Sequence, residues 1–214
     1  MGSGLTVDRA RLEPSALVLA PRLIGAVVVS DVGGHEVAVR LTEVEAYEGT
    51  DDPASHAFRG PTPRTTVMFG PPGHLYCYFT YGMHWCANVV CGPDGTASAV
   101  LLRAGEVIRG IEHAFARRPA ARRERDLARG PARLASCLAL DRDTNGVDVC
   151  DPSSPVRVES LPTRRRPGVV SGPRVGIRTA TERPWRFWLA GDPTVSTFTA
   201  GSRNRSATPG RLDG

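Results

Sequence analysis

Side chains suited to acid–base chemistry and to the binding of a flat ligand are concentrated in one stretch of the sequence, between residues 43 and 81. The stretch begins with the acidic residues Glu43, Glu45, Glu48, Asp51 and Asp52, and it contains all four tyrosines of the chain, Tyr47, Tyr76, Tyr78 and Tyr81. A carboxylate can act as a general base, and aromatic rings bind planar groups by stacking. Strand propensity accounts for any single tyrosine, but the confinement of all four to this stretch favours a shared site.

The first acidic residues fall in a predicted strand over residues 36–47. Because successive side chains of a strand alternate between its faces, Glu43, Glu45 and Tyr47 are expected on the same face as the apolar residues Val37, Val39 and Leu41. The two carboxylates would lie roughly 6.6 Å apart along the strand. Burial of carboxylates is costly without a partner or a purpose. Ion pairs with arginine are the structural alternative, and alternation does not distinguish Glu43 from Glu45 as a base.

The later tyrosines fall in a predicted β-hairpin, with strands over residues 74–79 and 83–90 and Tyr81-Gly82 at the turn. Tyr76 and Tyr78 are expected on one face. A tyrosine in a turn is usually just exposed. In a protein that binds nucleic acid, however, Tyr81 could enter the base stack as a wedge.

The remaining pattern predicts strands over 26–30, 36–47 and 97–104, helices over 15–24, 105–118 and 126–140, and a long loop over 50–72. Strands, then helices, then further short strands indicate an α+β fold with one mostly antiparallel sheet. Residues 1–14 and 198–214 are rich in Gly, Ser, Arg and Pro and are expected to be disordered. The domain is therefore predicted over residues 15–197.

Composition narrows the possible functions. The chain has 214 residues, 41% of them hydrophobic, which suffices for one domain with one core. No apolar run approaches the ~20 residues that cross a bilayer, so no membrane partner is expected. The net charge of +5 allows a polyanionic partner. All 27 basic residues are arginine, so no side chain can form the lysine imine that a β-elimination mechanism needs.

The five cysteines are irregularly spaced and form no CxxC pair. We expect reduced thiols in a cytoplasmic protein, with no metal site and no cofactor. Seven arginines lie between residues 117 and 133. They could form a solvated helix face or contact phosphates.

Three stretches resemble the alkyladenine (3-methyladenine or methylpurine) DNA glycosylase family. They are TEVEAYEGTDDPASHAFRGPTPRTTVMFGPPGHLYCYFTYGMHWCANVV with the following AVLLRA, then GPARLASCLAL, and finally PRVGIRTATERPWRFWLAGDPTVS. They span about residues 15–197 in the family's order, and the EAY, HLYxYxxYGM and LLRA motifs are specific. The resemblance implies a curved sheet with flanking helices and a protruding β-hairpin that inserts into DNA.

The resemblance also implies roles for individual residues. Glu45 of the EAY motif matches the general base, Arg103 of LLRA matches an arginine that positions the attacking water, and the backbone carbonyl of Val175 matches a second holder of that water. The walls that grip the flipped base match Tyr47, His56 and Tyr78. Asn88 matches the residue that discriminates against the exocyclic amine of guanine. Tyr81, supported by Met83, matches the intercalating side chain. Thr65-Thr66 stands where relatives often have asparagine, which leaves these motifs intact.

These residues predict a monofunctional DNA glycosylase of base excision repair, a monomer that acts on damaged double-stranded DNA in the bacterial cytoplasm and associates with the nucleoid. Its expected substrates are alkylated or deaminated purines of the 3-methyladenine, 7-methylguanine, hypoxanthine and ethenoadenine class. The alternative is a non-catalytic nucleic-acid-binding protein that keeps the aromatic base pocket.

Overall fold

The computed structural model describes residues 5–201, which form one antiparallel sheet with helices packed against it. The helices are α1 (Ala16–Leu23), α2 (Ile111–Arg117) and α3 (Pro131–Cys137). The strands are β1 (Val27–Ser30), β2 (Val37–Glu48), β3 (Leu75–Thr80), β4 (His84–Cys91), β5 (Ser98–Arg109), β6 (Val156–Glu159), β7 (Val169–Gly172) and β8 (Arg186–Leu189). The predicted α+β class and the mostly antiparallel sheet are confirmed.

The sheet has the strand order β3-β4-β5-β2-β1-β6. Its centre is the pair of 12-residue strands β2 and β5. The first half of β2 pairs with β1, whereas Glu43 to Glu45 in its second half pair with β8, which in turn pairs with β7. The sheet therefore branches at β2. The part of β2 that contains Glu43 and Glu45 lies beside β8 and not beside β1.

A β-bulge changes the phase of β2 where the branch begins. The register of the β2–β5 pair shifts between Leu41 and Glu43 and again between Glu43 and Val44. An extra residue in one strand reverses which residues face the core beyond it. Val44 and Ala46 accordingly join Leu41 in the hydrophobic core. The prediction that Glu43, Glu45 and Tyr47 share a face with Val37, Val39 and Leu41 is therefore wrong.

Gly105 of β5 lies opposite Leu41 in this irregular region. A Cβ atom at Gly105 would lie 2.4 Å from Cγ1 of Val39 and 2.5 Å from the carbonyl oxygen of Arg40. Only glycine allows the two central strands to approach so closely here.

The core lies between one face of the sheet and the helices α1 and α3. Leu19 and Leu23 of α1 and Leu134 and Leu138 at α3 are fully buried in it. The helix predicted over 15–24 and the hairpin predicted with Tyr81-Gly82 at its turn are both confirmed.

Two other expectations need correction. A helix was predicted from residue 105, but β5 continues to Arg109. Pairing with β2 outweighs the helical spacing here, and it buries Val107. The helix predicted over 126–140 is limited to α3, which begins at Pro131, a residue whose fixed φ suits the first helical position.

The N-terminal expectation also differs from the structure. A 3-10 helix spans Arg9–Leu12, and both Val7 and Leu12 are buried in the core. Burial of these apolar side chains orders residues that composition alone suggested were disordered, so the ordered unit begins before residue 15. The same expectation for residues 1–4 and 202–214 lies outside the described residues. Between residues 5 and 201, no helix has both the length and the apolar character that a bilayer-spanning segment needs.

Candidate active site

A cavity of about 320 Å³ opens where the end of β2, the β3–β4 hairpin and the segment after β7 meet. Its walls include eight of the nine predicted site residues, namely Glu45, Tyr47, His56, Tyr78, Tyr81, Asn88, Arg103 and Val175. The ninth, Met83, lies outside the cavity near the hairpin turn and is exposed. The sheet and its branch thus bring together residues that are up to 130 positions apart in the chain.

Glu45 is fully buried from solvent, and its carboxylate is held by three groups. The Tyr47 hydroxyl donates to Oε2 at 2.9 Å, and the Val175 N–H donates to Oε1 at 2.7 Å. Nη1 of Arg103 lies 3.3 Å from Oε1. These contacts fix the orientation of the carboxylate inside the cavity. The contact with Val175 is made by its N–H group, and the water-holding role of its carbonyl stays a prediction.

Burial keeps the Tyr47 hydroxyl available as a donor. Burial first, and then the charge of Glu45, raise the pKa of Tyr47 well above its usual value of 10.0. The phenol therefore retains its proton at neutral pH and donates to the carboxylate.

Glu43, the other acidic candidate, is in a different environment. Nε of Arg103 and Nε of Arg186 each donate to it at 2.7 Å, and the Ser196 N–H donates at 2.7 Å. The Ser196 hydroxyl adds a fourth bond at 2.9 Å. Glu43 does not line the cavity. The two carboxylates that alternation left equivalent are therefore distinguished by their access to the cavity.

The ion pairs of Glu43 predict a pH-dependent contribution to stability. Burial opposes ionisation, but the charges of Arg103 and Arg186 outweigh it, so the pKa of Glu43 is lowered below 4.5. A lowered pKa in the folded state means that the stabilisation is complete above pH 4.5 and is lost as the pH falls through the folded-state value. We expect Glu43→Gln to cost about 3 kcal/mol at pH 7. Urea unfolding should show that the difference in free energy of unfolding between wild type and Glu43→Gln becomes smaller below pH 4.5. A difference that stays constant down to pH 3 would contradict a stabilising role of the ionised Glu43.

Arg103 extends from β5 between the two glutamates. Burial acts to lower its pKa, but the charges of Glu45 and Glu43 raise it, so Arg103 stays a cation. Its side chain is only 6% exposed. The Arg103 guanidinium therefore contacts both Glu45, which lines the cavity, and Glu43, which does not.

Aromatic rings form the opposite side of the cavity. The rings of Tyr76 and Tyr78 are stacked with their centroids 5.6 Å apart, and His56 meets Tyr78 edge-on at 4.5 Å. Nδ1 of His56 lies 3.1 Å from the Tyr76 hydroxyl. Burial, assisted by the charge of Arg64, lowers the pKa of His56 to about 4, so the imidazole is neutral at neutral pH.

Asn88 and the hairpin turn complete the site. Nδ2 of the buried Asn88 donates to the carbonyl oxygen of Tyr76 at 3.0 Å, which fixes the amide against the cavity wall. Tyr81 has a φ of +51° and is 82% exposed, and Met83 is 68% exposed. The turn therefore presents two large apolar side chains to solvent beside the cavity entrance.

Two buried arginines near the site, Arg174 and Arg186, were missed by sequence reasoning. Arg174 pairs with Asp52, and Arg186 pairs with Glu43. Asp52 ended the acidic run, but nothing in the sequence pattern indicated its partner more than 120 positions away.

The described residues contain no group of three or more His, Cys, Asp or Glu side chains placed to hold a metal ion. The five cysteines, all within residues 5–201, are free thiols.

Comparison with known proteins gives a consistent result. The profile of the methylpurine-DNA glycosylase family matches residues 10–193. A relative from Streptomyces avermitilis is 51% identical over 194 residues, covering 90% of this chain and 91% of its own. One from Frankia casuarinae is 56% identical over 190 residues (84% and 87%), and one from Mycobacterium bovis is 46% identical over 204 residues (93% and 96%). Each is named "Putative 3-methyladenine DNA glycosylase".

The fold and site therefore belong to a DNA repair protein of the base-excision type, since the match covers nearly the whole described chain. More particularly, the chain belongs to the methylpurine-DNA glycosylase family, whose members hydrolyse N-glycosyl bonds.

Proposed function

We propose that this protein is a monofunctional DNA glycosylase that flips a damaged purine nucleotide into the cavity and hydrolyses its N-glycosidic bond. Its substrates are 3-methyladenine, 7-methylguanine, hypoxanthine and ethenoadenine, and its product is an abasic site. The observation that carries the proposal is that Glu45 is the one carboxylate among the described residues that line the cavity, where it lies with four tyrosines and His56. One cavity accepts one flipped nucleotide, so a monomer suffices.

In the proposed mechanism, Glu45 takes a proton from the attacking water and stabilises positive charge that develops on the sugar, as carboxylates do in glycoside hydrolysis. The water replaces the base at C1′, and the bonding electrons of the broken bond leave with the base. Arg103 and the carbonyl oxygen of Val175 position this water. A purine alkylated at N3 or N7 carries positive charge, so it departs as a neutral molecule and needs no proton from the protein. Neutral hypoxanthine and ethenoadenine would depart as anions and must also take up a proton, which solvent supplies.

The aromatic walls account for recognition of the base in this proposal. Tyr47, His56 and Tyr78 surround the flipped purine, and a ring face attracts a cationic base by about 0.5–2 kcal/mol. Asn88, held by its bond to the Tyr76 carbonyl, excludes the exocyclic amine of guanine.

The absence of lysine from the chain supports the monofunctional assignment. A lyase step through a lysine imine needs a side-chain amine that this sequence lacks. Water is then the nucleophile that the site activates.

A panel of duplexes tests the function. Each duplex carries one 3-methyladenine analogue, 7-methylguanine, hypoxanthine or 1,N6-ethenoadenine, and the free base released is measured by mass spectrometry. Release of at least one of these bases is expected. Tight binding of a damaged duplex with no release from any of them would favour the non-catalytic binding protein instead.

Tyr81 is proposed to fill the gap that the flipped nucleotide leaves, supported by Met83. Loss of an aromatic stacking partner costs about 1–3 kcal/mol. We expect Tyr81→Ala to weaken binding of a lesion duplex by that amount and binding of an undamaged duplex much less. Fluorescence anisotropy on the two duplexes measures both losses, and equal losses would remove the wedge role.

Exposed arginines are proposed to contact DNA phosphates. Arg117 has a structural role, since it donates to the carbonyl oxygens of Val32, His35 and Cys137. Arg129 is also partly engaged, since its Nε donates to the carbonyl oxygen of Val195 at 2.9 Å. Arg133 is exposed, and both residues line a second cavity that adjoins the base cavity at Arg103.

If the protein neutralises four phosphates, its affinity for an undamaged duplex should fall about 100-fold as the salt concentration rises from about 50 to about 200 mM. Arg133→Gln should lower the slope of log affinity against log salt by about one. Affinity that is flat across this range would contradict phosphate binding.

A further inference from the structure

Arg174 is a fully buried cation that lies behind the wall of the cavity rather than in it. It stands in the segment between β7 and β8. Nη2 donates to Oδ1 of Asp52 at 2.8 Å, and Nη1 donates to Oδ2 of the same carboxylate. Nη1 also donates to the carbonyl oxygen of Ala46 at 3.0 Å. Arg174 thus fastens its own segment to β2 and to the turn that follows β2.

The same guanidinium supports the ring of Tyr47. Its Cζ lies 4.6 Å from the centroid of Tyr47 and 5.0 Å from the centroid of Trp185. A cation over an aromatic face is attracted to it, most strongly where water is excluded. Tyr47 is therefore supported from behind, while its hydroxyl donates to Glu45.

The residue after Arg174 is Val175, whose N–H donates to Oε1 of Glu45 at 2.7 Å. Because the two residues are consecutive, the bonds of the Arg174 side chain restrain the backbone that carries this N–H. Two of the three groups that orient Glu45, the Tyr47 hydroxyl and the Val175 N–H, consequently depend on Arg174. The third is Arg103, at 3.3 Å.

We propose that Arg174, held by Asp52, is a positioning residue that keeps Tyr47 and Val175 against Glu45 and so aims its carboxylate at the attacking water. This role rests on the proposed function. Arg174 touches neither base nor sugar and acts through the two residues that hold the carboxylate.

A purely structural ion pair and a positioning pair differ in how they respond to replacement. Replacement of a buried ion pair by uncharged residues of similar shape often restores stability, whereas removal of one partner leaves a buried charge unpaired. Misplacement of a catalytic group by about 1 Å costs about 100-fold in rate, whatever the stability. A double variant that removes both charges should therefore regain stability without regaining the excision rate.

The experiment compares Arg174→Met with the double variant Arg174→Met/Asp52→Asn. Single-turnover excision is measured at increasing protein concentration on the duplex that the wild-type protein cleaves best, together with thermal unfolding. We expect the maximal rate to fall roughly 10- to 100-fold in both variants, while the half-saturating concentration changes less than about threefold. The double variant should recover the Tm that the single variant loses, but not the rate.

Arg183→Met is the matched control. Arg183 stacks on the same Trp185 ring at 4.6 Å, lies 3.9 Å from Asp52 and donates to the Asp51 carbonyl oxygen at 3.0 Å. Among the described residues it neither stacks on Tyr47 nor forms an ion pair with Glu45. It should keep the wild-type maximal rate within about twofold, which is less than about 0.4 kcal/mol.

Four results would overturn the inference. They are a wild-type rate in Arg174→Met, recovery of rate together with Tm in the double variant, a change confined to the half-saturating concentration, and failure of both variants to fold. Wild-type protein that excises no lesion would overturn the proposed function and this inference with it. An active wild-type protein with active variants would overturn the inference alone.

Discussion

Glu45→Gln should reduce excision at least about 100-fold, because general-base catalysis contributes about 10²–10⁴ to rate. The amide preserves the size of the side chain, its oxygen can still accept from the Val175 N–H, and its NH2 group can donate to the Tyr47 oxygen. It cannot, however, take a proton from water at neutral pH. Folding and capture of lesion DNA should therefore survive. Single-turnover release of the base and anisotropy on the same duplex measure the two properties separately.

Glu106→Gln is the matched control for this loss. Glu106 lies on β5, pairs at the surface with Arg40 and does not line the cavity. The same isosteric change should leave excision within about twofold of wild type, since surface pairs contribute about 0–1 kcal/mol. Full activity in Glu45→Gln would remove the assignment of the base.

Arg103→Met should lower both stability and excision, because one guanidinium compensates two buried carboxylates. Removal of one partner from a buried ion pair costs about 3–5 kcal/mol. Glu43 would keep Arg186 and Ser196, whereas Glu45 would lose its one guanidinium within salt-bridge distance. We therefore expect excision to fall about tenfold or more, about 1.4 kcal/mol in activation free energy, in conditions where the variant stays folded.

Arg40→Met is the control on the neighbouring strand β2. Arg40 pairs with Glu106 at the surface and its side chain is 38% exposed, so its loss should cost at most about 1 kcal/mol. Urea unfolding at pH 7 compares the two variants. An Arg103→Met protein within 1 kcal/mol of wild type would show that the buried carboxylates do not rely on this arginine.

Eight of the nine residues that the resemblance singled out line one cavity, whereas the strand that carries Glu45 was predicted in the wrong phase. Strand alternation placed Glu45 in phase with the core, and the bulge after Leu41 reversed that phase. A bulge depends on pairing between distant strands and on the close approach at Gly105, so local pattern does not reveal it. Glu45, to which the EAY motif pointed, lines the cavity, although the face inferred for it was wrong. Its role as the base stays a prediction.

Long-range partners were also invisible to local reasoning. Strand alternation left Glu43 and Glu45 as equal candidates, and the resemblance, through EAY, selected Glu45. Neither indicated that Arg186 and Ser196 bind Glu43. Arg174 lies in a loop without periodicity, so neither a helical nor a strand pattern marked it as buried. The helix predicted over 126–140 is longer than α3. In the structure the helix begins only at Pro131, and the residues just before it form turns.

The central claim is that water, activated by Glu45, replaces the base, with no amine of the protein taking part. In the most direct measurement, wild-type protein is incubated with an end-labelled duplex that contains one lesion which the protein excises. The reaction is then divided into three portions. One portion is held at neutral pH, one is heated in alkali, and one is treated with borohydride. The account predicts strand breaks only in alkali and no borohydride-trapped protein–DNA complex. Breaks at neutral pH, or a trapped complex, would contradict it.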